Sequence, residues 1–218
     1  MKKLLAIIAI LATPVYAATV QLAAEARSNI PNDEMSVVLA VERSGTDMRE
    51  PNDTVLGLLN KALEEAKRHN RVKSQMGSIA TQPLWVDGKA SGWQVHGDIV
   101  LVSQDFPALS ELASRLSQFM QIGSVRFQLS VGKRKSEETR LISEVADNFH
   151  ARAKSLTSAL GFQKYTLREL MLSNSSNLPG PRPRTLGTAA PMAMSAATVP
   201  IEAGESSVVL TLSGTVEF

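Results

Sequence analysis

The chain has 218 residues, no cysteine and a formal net charge of +2, which excludes disulfides and thiol chemistry. Its pI near 9.0 overstates how basic the working protein is. Taking Lys2 and Lys3 from the 23 Lys and Arg leaves 21, equal to the 21 Asp and Glu, and with no basic stripe carrying interleaved aromatics nucleic-acid binding is not expected.

Residues 1–17 have the pattern of a secretory signal peptide: a positive start at Lys2 and Lys3, an apolar stretch over 4–15, and the small-x-small site Val15-Tyr16-Ala17. The apolar stretch is short for a bilayer span, and no Cys follows it to take a lipid. Cleavage after Ala17 would leave 201 of the 218 residues, exported to the periplasm. With no later apolar run long enough to cross a membrane, the mature chain is expected to be soluble, without stable membrane insertion.

Residues 19–27 alternate Val20, Leu22, Ala24 and Ala26 with Thr19, Gln21, Ala23 and Glu25, the period of a strand. Asn29-Ile30-Pro31-Asn32-Asp33 reads as a turn, followed by a strand over 35–42 with Val37, Leu39 and Val41 on one face; the two are expected to form a hairpin. A helix should begin near Asn52-Asp53-Thr54 and end around His69-Asn70, with Val55, Leu58, Leu59, Ala62, Leu63 and Ala66 as its apolar face. Strands over 76–85 and 93–103 flank a turn containing Asp87-Gly88, a second hairpin. Asp105 opens a helix with Pro107 in its first turn, and Leu109, Leu112, Ala113, Leu116, Phe119 and Met120 make its apolar side. Residues 124–131 alternate as a strand, Val125, Phe127, Leu129 and Val131 on one face.

The longest helix is predicted over 136–160. Ile142, Ala146, Phe149, Ala153, Leu156 and Leu160 recur in steps of four and three, and Gly161 suits the left-handed stop. This stripe is expected to cover the protein's own core; an oligomer seam is the other reading, though the repeat is too short to demand a coiled coil. A strand over 164–172 follows. Residues 174–200 hold five of the ten prolines, together with Arg182, Arg184, Met192 and Met194, and lack any sustained period; they read as an exposed excursion. Residues 201–218 return to alternation, Val208, Leu210, Leu212, Gly214, Val216 and Phe218 on one face, and such a strand should be paired inside a sheet. The order is β-β-α-β-β-α-β-α-β-linker-β: an α+β fold with helices on antiparallel or mixed sheets, its two successive strand–helix–strand units suggesting two lobes.

No chemistry stands out along this order. There is no nucleophile elbow, Walker loop or dinucleotide-binding glycine motif, so no catalytic, cofactor-binding or metal residue is assigned. His96 and Asp98 lie two apart on a strand and reach one face, half a metal site at most; a solvent-facing polar pair is the better reading. His69 suits a helix end and His150 a packing boundary. The adjacent pairs Glu64-Glu65 and Glu137-Glu138 point in different directions on helices and make poor acid–base dyads. Trp85 and Trp93 are expected to pack across their hairpin, with ligand stacking as the other role. Met192 and Met194 suit soft metal or oxidant, on slender grounds.

The combination nonetheless resembles a known family. A Pro-Asn-Asp turn leads into Met35-Ser36-Val37-Val38-Leu39; a long Ala-rich helix closes on Leu156-Thr157-Ser158-Ala159-Leu160-Gly161; a Pro/Met-rich excursion follows; and Pro200-Ile201-Glu202-Ala203-Gly204-Glu205 leads into Val208-Val209-Leu210-Thr211-Leu212. This layout is similar to the SIMPL-domain family of YggE-like oxidative-stress defence proteins, which includes the periplasmic immunogenic protein of Brucella. The resemblance spans 18–218. It implies a periplasmic or envelope-associated protein without established catalytic residues or cofactor, links to oxidative-stress protection, and assembly into large oligomers in at least one member. The resulting expectation is a non-enzymatic, self-assembling periplasmic protein. The alternative is a monomeric ligand-binding module with a pocket near Trp85, Trp93 and His96, and an enzyme with an undetected site is a distant third.

Overall fold

A computed structural model describes residues 18–174 and 203–218; the segment expected to be a signal peptide, and the expected excursion beyond Asn174, lie outside these. The elements are β1 (Thr19–Pro31), β2 (Glu34–Gly45), α1 (Arg49–Lys67), β3 (Lys73–Val86), β4 (Lys89–Ser103), α2 (Phe106–Leu116), β5 (Gln121–Gln128), α3 (Val131–Ala159), β6 (Thr166–Asn174) and β7 (Glu205–Glu217). Their order is the one expected from the sequence, and they form an α+β fold. The strands make two antiparallel sheets, one ordered β3-β4-β2-β5 and the other β1-β7-β6. The chain divides into two compact units, whose described residues are 28–139 with 203–208, and 18–27 with 140–174 and 209–218.

In the first unit, α1 and α2 cover one face of the four-stranded sheet. Val55, Leu59, Ala62 and Ala66 of α1 and Leu109, Leu112, Ala113 and Leu116 of α2 meet Met35, Val37, Leu39 and Val41 of β2 and Val95, Ile99 and Leu101 of β4. All are buried, and each large aliphatic side chain contributes roughly 1.5–3 kcal/mol of transfer free energy. Gly97 permits the close approach of α1: a Cβ there would stand 2.7 Å from Leu59 Cδ1 and 2.8 Å from Val55 Cγ1. α1 begins before Asn52, because the Asp47 carboxylate accepts from the Arg49 and Glu50 backbone N–H groups at 2.8 and 3.2 Å, and Pro51 falls in the first turn, where its missing N–H costs nothing.

The β3–β4 hairpin forms as expected, turning through Asp87 and Gly88, both at positive φ (52° and 75°). The β1–β2 hairpin does not form, since the two strands lie in different sheets. Asn32, expected in the turn, instead engages a segment far along the chain. Its N–H donates to Gly204 O at 3.1 Å, its Nδ2 to Ala203 O at 2.7 Å, and its Oδ1 accepts from Ser206 Oγ at 2.6 Å.

β5 ends three residues earlier than the alternation through Val131 implies. The Asp33 carboxylate accepts from the Ser130 N–H at 2.7 Å and the Ser130 Oγ–H at 2.8 Å. Ser130 in turn caps α3, its Oγ accepting from Lys133 N at 3.3 Å and its carbonyl from Arg134 N at 3.0 Å. Val131 therefore starts a helix and is 82% exposed rather than turned inward.

In the second unit, α3 packs on the sheet containing β7. Its buried residues are Leu141, Val145, Phe149, Ala153 and Thr157, in steps of four only. Phe149 and Ala153 lie where the sequence places them, but Ile142 and Leu160 are about half exposed, so the buried row is displaced from the expected stripe. Phe149 reaches Gly214, where a Cβ would lie 3.1 Å from its Cζ and 2.6 Å from Leu170 Cδ2. Asn148 Nδ2 donates to Glu25 O at 3.1 Å, and Arg152 donates to Ala23 O. β7 is the middle strand of its sheet, as its pattern requires.

Candidate functional site

The side chains that carry chemistry in the sequence are dispersed. His69 Nε2 lies 2.8 Å from Arg115 Nη2, and His150 Nδ1 lies 2.9 Å from the Tyr165 hydroxyl, beside the Phe149 ring. His96 stands between Glu42 and Asp98, each 3.9 Å from one ring nitrogen. Asp98 is otherwise engaged: its Oδ1 accepts from Ser78 N and its Oδ2 from Ser78 Oγ, both at 2.9 Å. These bonds fit the irregular pairing of β3 between Met76 and Ile79. Gly77 makes room for them, since a Cβ there would meet Asp98 Oδ1 at 1.5 Å. Glu42 accepts from Gln94 Nε2 at 2.6 Å, and Gln94 Oε1 from Gln82 Nε2 at 2.7 Å. The row is a cross-strand hydrogen-bond ladder. Among the described residues, no group of three or more His, Cys, Asp or Glu is arranged to hold a metal ion.

Glu64 and Glu65 of α1 face separate cations, Lys67 at 2.7 Å and Arg68 at 3.0 Å. Glu137 and Glu138 lie in α3; Met192 and Met194 fall outside the described residues. Trp85 is opposite Ala90 and Trp93 opposite Pro83, so the two indoles are not directly opposed across the hairpin. Trp85 is 64% exposed. Cavities of about 520, 390 and 410 Å3 are lined by residues other than Trp85, Trp93 and His96.

The feature that stands out is an edge. β5 is the last strand of β3-β4-β2-β5, and no strand pairs with its outer side among the described residues. Its register with β2 jumps at Gly123: Ser124 is opposite Val38, but Ile122 is opposite Leu39. The extra residue reverses the alternation. As a result Ile122, Val125 and Phe127 all share the face of Leu39, Val37 and Met35, which is the core face. Sequence reasoning missed Ile122, because strict alternation puts it opposite to Val125 and Phe127; Gly123 was the one local signal of a bulge.

α2 and its C-cap wall this face with Ser110, Ala113, Ser114 and Ser117, small residues three, four and seven positions on from the first and so on one side. Small side chains there and large ones on the strands leave an apolar groove of about 410 Å3, floored by Met35, Val37, Ile122, Val125 and Phe127. Phe106 packs edge-on against Phe127, centroids 5.4 Å apart. Ile122 and Val125 remain 50% and 45% exposed, and the buried Ser110 Oγ has no hydrogen-bond partner among the described residues. Among the described residues, the groove's lining has no nucleophile–base pair and no charged group. What it offers is apolar surface beside a strand with backbone donors and acceptors to spare.

The described residues form an α+β protein with two antiparallel sheets, one of which ends on the open edge of β5. The chain belongs to the SIMPL family, described as a protein of unknown function (DUF541), which matches residues 20–216. No curated protein matches it. A solved structure, the de novo designed protein Foldit4, is 19% identical over 44% of this chain and 98% of that chain, with a TM-score of 0.28.

Proposed function

We propose that this is a non-enzymatic periplasmic SIMPL-domain protein that self-assembles, with a role in envelope or oxidative-stress defence. The observation that carries the assembly reading is the open β5 edge beside its apolar groove. A strand whose outer edge has no partner among the described residues, with exposed Ile122 and Val125, is suited to pairing with another strand, and a two-fold copy presents the same surface in the complementary direction. β6 is a second edge strand, with Leu170, Met171 and Leu172 each about half exposed or more. Among the described residues no helix is long and apolar enough to cross a membrane. The stress-defence part of the reading draws on the family resemblance.

Size-exclusion chromatography with light scattering on residues 18–218 tests assembly. A species larger than the monomer is expected at micromolar concentration, and Ile122→Lys with Val125→Lys should shift it toward the monomer while a cooperative melt persists. A wild-type protein that stays strictly monomeric under these conditions would overturn the proposal. A monomer whose melting temperature rises with a small ligand would favour the alternative binding module near Trp85, Trp93 and His96.

A further inference from the structure

We draw no further inference here: the strongest candidate, the cavity of about 520 Å3 lined by Arg71, Lys73 and the first residues of α3, carries nothing because the Asp33 carboxylate already occupies that helix amino terminus, Asp105 already pairs with Arg71, and nothing else in the structure points to a ligand there.

Discussion

Asp33 shows how one side chain sets a boundary that its neighbours in sequence do not. Burial pushes its carboxyl upward, but the Ser130 N–H and hydroxyl and the nearby Lys133 charge outweigh that, and its pKa lies below the ordinary value. A lowered pKa means the folded state favours the ionised form. The stabilisation is therefore fully present above the unfolded-state pKa, near 3.9, and is lost as pH falls through the lower folded-state value. Asp33→Ala should cost about 1–2 kcal/mol near neutral pH, the usual scale for stranding buried hydrogen-bond partners. Urea unfolding at pH 7 and at several values below pH 4 would check this. The gap between wild type and variant should narrow only in the acid series, and a gap independent of pH would remove the carboxylate from the account. The sequence places Asp33 in a turn; in the structure β1 runs on through Pro31 and Asp33 sits in the two-residue connection to β2. The sequence does not show that the residue bonds Ser130, because that partner is brought in by β5 pairing with β2. The same holds for Asn32, whose partners Ala203, Gly204 and Ser206 lie near the other end of the chain.

Elements were legible where local period and burial agree. Val37, Leu39 and Val41 in β2, the α1 stripe from Val55 to Ala66, and the Asp105 start of α2 all stand where alternation, helical spacing and capping put them. α3 departs instructively. Each step of four residues advances about 40° around a helix of 3.6 residues per turn. A buried row spaced only by fours therefore winds around α3, following the inclined i±4 ridge that packs into a groove. A stripe chosen in alternating steps stays straight, and so selects Ile142 where the structure buries Leu141. Paired truncations separate the two rows. Leu141→Ala should lower stability by about 2–4 kcal/mol through lost burial and a residual cavity. Ile142→Ala, at a half-exposed site, should cost about 0.5 kcal/mol or less. Chemical denaturation of both variants decides it, and the reverse ranking would return the helix to the expected stripe. The β5 bulge is the strand counterpart: one glycine inverts the period and brings Ile122 onto the groove face, which no strictly alternating pattern reveals.

At the scale of the molecule, the order of elements was readable and the sorting of strands into sheets was not. Adjacent strands with a turn between them ordinarily pair. β1 and β2 do not, because β1 is completed by β7 instead: Phe218 N donates to Ala18 O at 3.0 Å, and Asn32 N to Gly204 O at 3.1 Å. The local sequence of β1 shows one buried face and is silent about which strand supplies the hydrogen bonds. This non-local closure makes β7 the strand on which its sheet depends, since β1 and β6 are each ordered through it. Deleting residues 208–218 would remove buried Val208, Val209, Leu210 and Val216 and strip both neighbours of their ladder partner. The loss exceeds what a marginally stable fold can absorb. The truncated protein is expected to be insoluble, or soluble without a cooperative thermal transition by circular dichroism. A sharp melt from the truncated chain would mean that β1, β6 and α3 hold together without their central strand, and would overturn the role assigned to β7.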